Sequence, residues 1–197
     1  MLPTRLMFFG MTLFICAIVV SLPNFMLSKA TQRKYVVLTG FLIQSLAFNT
    51  WVTEKGLENK DDPRRAIISN HMSPADIFVL ISTAGASFVA NDGVRGIPGI
   101  GHIAKALGCT FVYRGKDVEK REQCKNAILD KIVALSDGSS ADPYCVFPEG
   151  TVTNGKGMIQ FKNGVFEPAY VQPDKVFKEV QPAIIRYAPA PLAARQT

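Results

Sequence analysis

Residues 65–80 of the chain read RAIISNHMSPADIFVL, and they contain the first complete strand-and-helix pattern of the sequence. The apolar run AIIS predicts a short buried strand over residues 66–69. Pro74 then opens a second apolar run, which predicts a helix over residues 74–83 because proline is favoured at the first helical position. The stretch therefore predicts one strand–helix unit of an α/β fold.

The same alternation continues along the chain. Further strands are predicted over residues 87–91, 109–113, 144–147 and 180–187, and further helices over residues 98–107 and 116–135. The inner face of the last of these helices is predicted to consist of Cys124, Ile128, Ile132 and Leu135. Because strands that alternate with helices favour a sheet covered on both faces, we predict an α/β fold with a helix-flanked sheet.

The length and the charge distribution limit the possible classes of protein. With 197 residues the chain can form one domain of ordinary size. The net charge is +6, and residues 1–65 contain eight Lys or Arg against four Asp or Glu, beside two apolar segments. Basic groups in that position favour anionic lipid headgroups. The rest of the chain shows no basic face with interleaved aromatic residues, so the sequence predicts no nucleic-acid partner.

The first apolar segment, residues 6–27, contains no charged residue. A helix rising about 1.5 Å per residue over this length can cross a bilayer. A cleaved signal peptide is the alternative, since Ser28, Lys29 and Ala30 resemble a small-x-small cleavage site. Signal peptides have apolar cores of only about 7–15 residues, so we predict an uncleaved transmembrane helix.

The second apolar segment, residues 35–53, is interrupted by polar residues and by Gly40. It can span the bilayer, enter one leaflet or pack on the domain, and we predict an interfacial or re-entrant position. The basic linker before it, residues 29–34, is predicted to be cytosolic, which places the following domain on the cytosolic side. The predicted organisation is a membrane anchor over residues 1–60, a domain over 61–188 and a loose tail over 189–197.

His71 and Asp76 are the candidate catalytic residues of the opening stretch. A purely structural interpretation explains Asp76, because Ser73, Pro74 and Asp76 have the spacing of a helix-capping box. It does not explain His71, whose side chain suits a general base at neutral pH if a carboxylate fixes its tautomer. We expect that Asp76 cannot serve fully in both roles, so that one of them is weakened.

Three later stretches end predicted strands with residues that can bind a substrate. GCTFVYR (108–114) ends with Arg114, which can hold a phosphate or carboxylate through two hydrogen bonds. FPEGT (147–151) contains Gly150, which permits close approach of the backbone. VQPAIIRY (180–187) has a proline at the entry of a strand. Each stretch alone is equally consistent with an ordinary strand end or turn.

Together and in this order, these stretches resemble the motifs of the glycerolipid (lysophospholipid) acyltransferase family. NHMSPAD matches that family's N-H-x4-D motif, GCTFVYR its G-x-x-F-[I/V]-x-R motif, FPEGT its E-G-T motif, and VQPAIIRY its last motif around V-x-P. The resemblance covers residues 64–187. Within the family, EGTVTN and VQPAIIRY look most like lysophosphatidylcholine and lysophosphatidylethanolamine acyltransferases, since lysophosphatidic acid enzymes more often carry arginine where Val152 stands.

The resemblance implies a glycerolipid-acyltransferase-like sheet and an enzyme that transfers a fatty acyl group from acyl-CoA to the free hydroxyl of a lysophospholipid. It implies that His71 is the base and that Asp76 orients it. It also implies a site for the acceptor, formed by Arg114, Glu149, Gly150, Thr151 and Pro182, with Arg186 a weaker candidate. Acyl-CoA is then a co-substrate, and no metal or other cofactor is implied. The expected location is the endoplasmic reticulum membrane, with the catalytic domain facing the cytosol.

Several alternatives stay open or are disfavoured. NHMSPAD is also similar to glycerol-3-phosphate acyltransferases, so a glycerol-3-phosphate or lysophosphatidic acid acceptor is an alternative. Because the chain ends soon after the last motif, a truncated, non-catalytic lipid-binding membrane protein of the same fold is another.

Two other classes of protein are disfavoured. GIGHIA (99–104) does not directly follow a strand, as a dinucleotide-binding fingerprint requires. No G-x-S-x-G motif supports a hydrolase. The four cysteines form no C-x-x-C pair and are expected to be free, buried thiols.

Overall fold

The computed structural model describes residues 7, 10–11, 28–48, 52–56, 66–140, 142–163, 166 and 180–187. The described strands form one parallel sheet in the order β3-β2-β4-β1-β5. The strands are β1 (Ala66–Ser69), β2 (Ser87–Asn91), β3 (Thr110–Val112), β4 (Tyr144–Val146) and β5 (Val180–Ala183). The helices are α1 (Lys29–Leu42), α2 (Ala75–Ala84), α3 (Ile100–Ala106) and α4 (Val118–Ser136).

The register of the sheet brings distant parts of the chain together at one edge. β1 lies between β4 and β5, with Ala66 opposite both Tyr144 and Val180. β2 lies between β4 and β3. Because all of these strands are parallel, the segments that follow them leave the sheet at the same, carboxyl edge, where open α/β sheets bind their ligands.

Helices cover both faces of the sheet, as predicted. On one face, side chains of α1, α2 and α3 form one buried cluster with Ile67, Cys145 and Phe88, which are paired positions on three neighbouring strands. On the other face α4 packs on Tyr144 and Val146 through Ile128, Ile132 and Leu135. Three of the four residues predicted for the inner face of α4 are therefore buried, and Cys124 is half-buried.

Some boundaries differ from the prediction for identifiable reasons. α3 begins at Ile100 instead of residue 98, because Gly99 has a φ of 79° that is incompatible with a right-handed helix. A 3₁₀ helix, Asp92–Gly96, precedes it. β5 ends at Ala183, whereas a strand was predicted to residue 187, because its neighbour β1 already ends at Ser69.

α1 begins at Lys29, six residues before the predicted apolar segment 35–53. The Ser28 side chain accepts a hydrogen bond from the Thr31 N–H at 3.3 Å and caps the helix. Arg33, expected in the linker, contacts the Gly85 carbonyl and the Asp142 carboxylate. Residues 29–34 are therefore the first turns of α1 and not a separate linker, while their cytosolic location stays a prediction.

α1 and the π-helical turn after it, Ile43–Ala47, pack on the domain through one face. Val36, Thr39 and Gly40 are buried within α1. Packing on the domain was one of the three arrangements considered for this segment. Of the predicted transmembrane segment 6–27, only residues 7, 10 and 11 are among the described residues, and the predicted tail 189–197 lies outside them. Among the described helices, none has the length and hydropathy needed to cross a bilayer.

Candidate active site

His71 lies directly beyond β1, at the carboxyl edge of the sheet. Its ring stacks on the ring of Phe147, which follows the neighbouring strand β4, with centroids 4.2 Å apart and planes 16° apart. The Thr153 N–H donates to the His71 carbonyl at 2.8 Å, so the loop after β4 also holds the backbone. The side chain of His71 is only 13% exposed, and it lines a cavity. The imidazole is thus fixed in place at the wall of a cavity.

Asp76, in the first turn of α2, is fully buried. Its Oδ2 lies 3.0 Å from His71 Nδ1 and accepts hydrogen bonds from the N–H groups of Met72 at 2.6 Å and Ser73 at 2.8 Å. One carboxylate oxygen therefore holds both the imidazole and the turn that begins the helix. The expectation that one role must weaken is wrong, because a carboxylate can accept several hydrogen bonds at once.

The second oxygen of this carboxylate has a different partner. The Tyr187 hydroxyl donates to Asp76 Oδ1. Burial acts to raise the pKa of Asp76, but the hydrogen bonds from His71, Tyr187, Ser73 and Met72 outweigh it and hold the pKa below its ordinary value. Burial and the adjacent Asp76 charge raise the pKa of Tyr187, so the phenol stays protonated as a donor. Asp76 is therefore a buried carboxylate that stays ionised beside His71.

The start of α2 differs by one residue from the predicted capping box. Pro74 precedes the helix and Ala75 is its first residue. The Ser73 hydroxyl still accepts a hydrogen bond from the Ala75 N–H at 3.2 Å. Ser73 therefore lies one residue before the N-cap and not at it, but the Asp76 side chain still returns to the Ser73 N–H as in a capping box.

The predicted substrate residues Arg114, Gly150 and Thr151 come together at the same cavity. Arg114 Nη2 donates to the Gly150 carbonyl at 3.0 Å. Gly150 has a φ of 67°, a conformation that glycine adopts without strain and that turns this carbonyl out of the loop. The two motifs thus meet although 36 residues separate them.

Glu149 and Pro182 lie apart from the cavity wall. Glu149 is buried beneath its loop, with Oε2 3.5 Å from the Ile159 N–H. Pro182 is on β5, opposite Ile68, and its side chain is exposed. Neither residue lines the cavity, and Arg186 does not either. The geometry therefore supports Arg114, Gly150 and Thr151 as contact residues more directly than it supports Glu149 and Pro182.

The cavity has a volume of about 630 Å³ and two kinds of wall. Apolar side chains from α2 and α3 form one part, among them Ile77, Phe78, Ile81, Ile103 and Leu107. Basic side chains form another part, namely Arg114, Arg121, Lys125 and Lys162, and no Asp or Glu is among the described residues that line it. Such a cavity fits a molecule with a long apolar group and an anionic group.

Three residues of the site had no assigned role in the sequence, namely Asn70, Phe147 and Tyr187. Asn70 Nδ2 donates to the Ile185 carbonyl at 3.0 Å, and its Oδ1 accepts from the Ile185 N–H at 2.8 Å. Asn70 could have been suspected from its position directly after a strand. Phe147 and Tyr187 reach the site only through the strand order, so no local signal marks them.

Two of the cysteines, Cys109 and Cys124, line the cavity. Cys145 is buried, Cys109 and Cys124 are half-buried, and all three thiols are free, as predicted. Burial raises the pKa of Cys109 to about 11, which disfavours the reactive thiolate. Cys16 lies outside the described residues.

The His71–Asp76 pair lies at the carboxyl edge of a parallel sheet, beside a cavity with apolar and basic walls. This arrangement in an α/β protein suits general-base chemistry on an amphiphilic molecule. The Acyltransferase family matches residues 52–178. This match covers more than half of the chain, and the chain belongs to the glycerolipid acyltransferase family.

Individual relatives carry names from several branches of that family. The lysophospholipid acyltransferase LPEAT1 of Arabidopsis thaliana is 35% identical over 120 residues, which are 60% of this chain and 30% of that protein. Glycerol-3-phosphate acyltransferase 4 of Homo sapiens is 27% identical over 193 residues, 96% of this chain and 40% of that protein. The chain thus spans less than half the length of these relatives.

A solved structure shows the same fold. The crystal structure of the 1-acyl-sn-glycerophosphate (LPA) acyltransferase PlsC from Thermotoga maritima superimposes with a TM-score of 0.60. The match covers 86% of this chain and 70% of that one, at 22% sequence identity. The helix-flanked α/β sheet predicted from the sequence is thereby confirmed, and the structure adds that the sheet is parallel.

Proposed function

We propose that this protein transfers a fatty acyl group from acyl-CoA to the free hydroxyl of a lysophospholipid. The observation that carries the proposal is the His71–Asp76 pair at the cavity wall. Because Asp76 occupies Nδ1 of the imidazole, Nε2 is the nitrogen that can accept a proton from a bound hydroxyl. Family membership supports acyl transfer as the reaction class.

The chemistry requires one base and a good leaving group. His71 Nε2 takes the proton of the acceptor hydroxyl as its oxygen attacks the thioester carbonyl, and the buried Asp76 charge stabilises the imidazolium that forms. The carbon–sulfur bond then breaks, and the CoA thiolate leaves and takes up the proton. General-base catalysis of this kind contributes about 10²–10⁴-fold in rate. The proposed steps need no metal ion and no cofactor other than the acyl-CoA co-substrate.

The two walls of the cavity suit the two parts of these substrates. The apolar wall on α2 and α3 can take an acyl chain, and the basic wall with Arg114 can take a phosphate. We assign Gly150 and Thr151 to the acceptor end beside Arg114, following the family motif. Glu149 and Pro182 also belong to the family motifs. We propose that they act indirectly, Glu149 through the loop after β4 and Pro182 through β5.

A second candidate function differs only in the acceptor. Relatives named for lysophospholipid and for glycerol-3-phosphate acylation both match this chain, and the solved structure of the same fold is an LPA acyltransferase. Val152, half-exposed at the cavity, stands where lysophosphatidic acid enzymes more often carry arginine. This residue favours the lysophospholipid acceptor over lysophosphatidic acid.

We also propose that the protein works at the cytosolic surface of a membrane, that of the endoplasmic reticulum. The outward face of α1 carries exposed large apolar side chains, namely Tyr35, Leu38, Phe41 and Leu42, and Leu46 follows in the π-helical turn. An exposed apolar row on one helix is typical of a surface that contacts lipid or another protein. A membrane position would let the acyl chains of both substrates stay in lipid.

The test is an acylation assay with acyl-CoA and a panel of lysophosphatidylcholine, lysophosphatidylethanolamine, lysophosphatidic acid and glycerol-3-phosphate. We expect wild type to acylate the first two, and His71→Ala to lose at least about 10²-fold. Asp76→Asn should lose much of the rate while keeping the fold. The matched control is His102→Ala, since His102 is exposed on α3 and does not line the cavity.

Each other outcome has a defined meaning. Equal activity of wild type and His71→Ala would exclude His71 as the base. Acylation of only glycerol-3-phosphate or lysophosphatidic acid would assign the alternative acceptor. A folded protein that binds lysolipid but acylates nothing would be the non-catalytic lipid-binding protein, and unfolding of Asp76→Asn would show that its capping role dominates.

A further inference from the structure

The four residues after β5, Ile184–Tyr187, form a segment that the Asn70 side chain holds in place. Asn70 makes two hydrogen bonds to the backbone of Ile185, one to its carbonyl and one from its N–H. Since Asn70 directly precedes His71, the segment is fixed next to the candidate base. Its last residue, Tyr187, then reaches the buried carboxylate of Asp76.

The two oxygens of Asp76 have separate sets of partners. Oδ2 accepts from His71, Met72 and Ser73, which all belong to the loop after β1. Oδ1 accepts a hydrogen bond from the Tyr187 hydroxyl, which is its donor among the described residues. A fully buried carboxylate oxygen without a donor is costly, so this bond completes the orientation that the three partners of Oδ2 begin.

We propose that Tyr187 is a positioning residue of the reaction, which acts on His71 through Asp76. Its hydroxyl holds Oδ1 so that Oδ2 stays directed at His71 Nδ1, and it withdraws part of the negative charge from the carboxylate. The role rests on the proposed function insofar as His71 is the base. Tyr187 is not among the described residues that line the cavity.

The loss of this hydroxyl has a predictable electrostatic sign. Without the donor, the Asp76 carboxylate carries more charge and stabilises a protonated His71 more strongly. Besides His71 and Tyr187, the titratable group facing Asp76 is the Cys145 thiol on β4, which is neutral because burial raises its pKa. The acidic limb of the activity profile should therefore move to higher pH.

The first test compares Tyr187→Phe with wild type in the acylation assay. We expect kcat to fall about tenfold, with the KM of both substrates within about twofold, because only the orientation of the base changes. The control is Asp92→Asn, a substitution at an exposed position in the 3₁₀ helix that does not line the cavity. An unchanged kcat and pH profile, or a loss confined to KM, would overturn the proposal.

The second test needs no substrate. The chain has two histidines, so NMR of His102→Gln protein labelled at histidine reports on His71 alone. The midpoint of its titration should move to higher pH in Tyr187→Phe, and an unchanged or lower midpoint contradicts the proposal. If wild type is inactive on every acceptor but the midpoint still moves, the proposed function fails and the positioning contact stands.

Asn70→Ala is a second variant that leaves Tyr187 intact but releases the Ile184–Tyr187 segment. It should lower kcat and raise the His71 midpoint in the same way as Tyr187→Phe. Because both substitutions act through one contact, the double variant should be no worse than the more affected single variant. Effects that add in the double variant would show that the segment and the hydroxyl act separately, and would refute the proposal.

Discussion

Asp76 is a buried carboxylate whose two oxygens are bound by different parts of the chain. Oδ2 serves the imidazole and the turn before α2, while Oδ1 receives the Tyr187 hydroxyl. These hydrogen bonds compensate for the loss of hydration on burial, since a buried carboxylate with several donors stays ionised. The same set of bonds therefore stabilises the fold and holds the proposed base.

This charge makes a specific contribution to the pH dependence of stability. The folded-state pKa of Asp76 lies below its ordinary value of 3.8, so ionisation of Asp76 stabilises the fold above that pH. The contribution is lost as the pH falls through the folded-state pKa. Between about pH 6 and pH 3, wild type should therefore lose more unfolding free energy than Asp76→Asn, whose amide does not titrate.

Urea unfolding of both proteins at several pH values measures this difference. Asp92→Asn is the control, because Asp92 is exposed in the 3₁₀ helix and pairs with Arg95 at the surface. Its pH dependence should follow that of wild type. Parallel curves for wild type and Asp76→Asn would mean that the Asp76 charge does not stabilise the folded state.

At the scale of elements, α1 buries the apolar Val36 together with Thr39 and Gly40, while the large apolar Leu38 and Phe41 face outward. Because apolar side chains lie on both faces, the helix has no clean apolar stripe. Side-chain size decides the inward face here, because the backbones of α1 and α2 approach closely.

Gly40 marks the point of closest approach. A Cβ atom added at this position would lie 2.5 Å from Ile81 Cγ2 and 3.0 Å from Ile81 Cβ. Gly40→Ala should therefore lower the free energy of unfolding by about 1–3 kcal/mol, despite the better helix propensity of alanine. Thermal or urea unfolding measures the change.

Gly96→Ala is the matched control, since a Cβ atom there has no neighbour within 4 Å. It should leave stability within about 0.5 kcal/mol of wild type. A second check uses Ile81→Ala, which removes the clashing side chain. The cost of Gly40→Ala should shrink in that background, and an equal cost in both backgrounds would show that Ile81 is not the obstacle.

At the scale of the whole molecule, the catalytic edge of the sheet and the apolar face of α1 belong to one body. α1 contacts α2, and α2 carries Asp76 at its start and apolar wall residues of the cavity. A lipid surface against α1 would therefore have a fixed position relative to His71. This arrangement supports the proposed exchange of acyl chains between bilayer and cavity.

A tryptophan placed on α1 can report this contact. The chain has one tryptophan, Trp51, so Trp51→Phe with Leu38→Trp gives a single probe on the outward face. In vesicles containing brominated phospholipid, the fluorescence of this probe should be strongly quenched, because Leu38 is proposed to lie among acyl chains. The readout is local, so other membrane-binding segments do not produce it.

Val118→Trp in the same Trp51→Phe background is the control. Val118 is 75% exposed at the start of α4, on the opposite face of the sheet from α1. It should stay unquenched. Equal quenching at the two positions, or none at position 38, would contradict the proposed orientation of the domain on the membrane.

Local sequence patterns predicted much of the fold and one central contact of the site. The strand β1, the turn at Pro74 and the apolar face of α4 were predictable because each depends on residues a few positions apart. The His71–Asp76 contact was predictable for the same reason, since five residues and one tight turn separate the pair. Short-range geometry of this kind is set by backbone sterics and helix capping.

The remaining contacts depend on the strand order, which no local pattern contains. β1 pairs with both β4 and β5, and this register alone brings Phe147 against His71 and Tyr187 against Asp76. Tyr187 is 111 residues from Asp76 along the chain. The sequence by itself determined the α/β class and the base–acid pair, because both arise from short-range periodicity and capping. Only the tertiary structure decided what surrounds the pair, because parallel strands join residues according to their place in the sheet and not their distance in sequence.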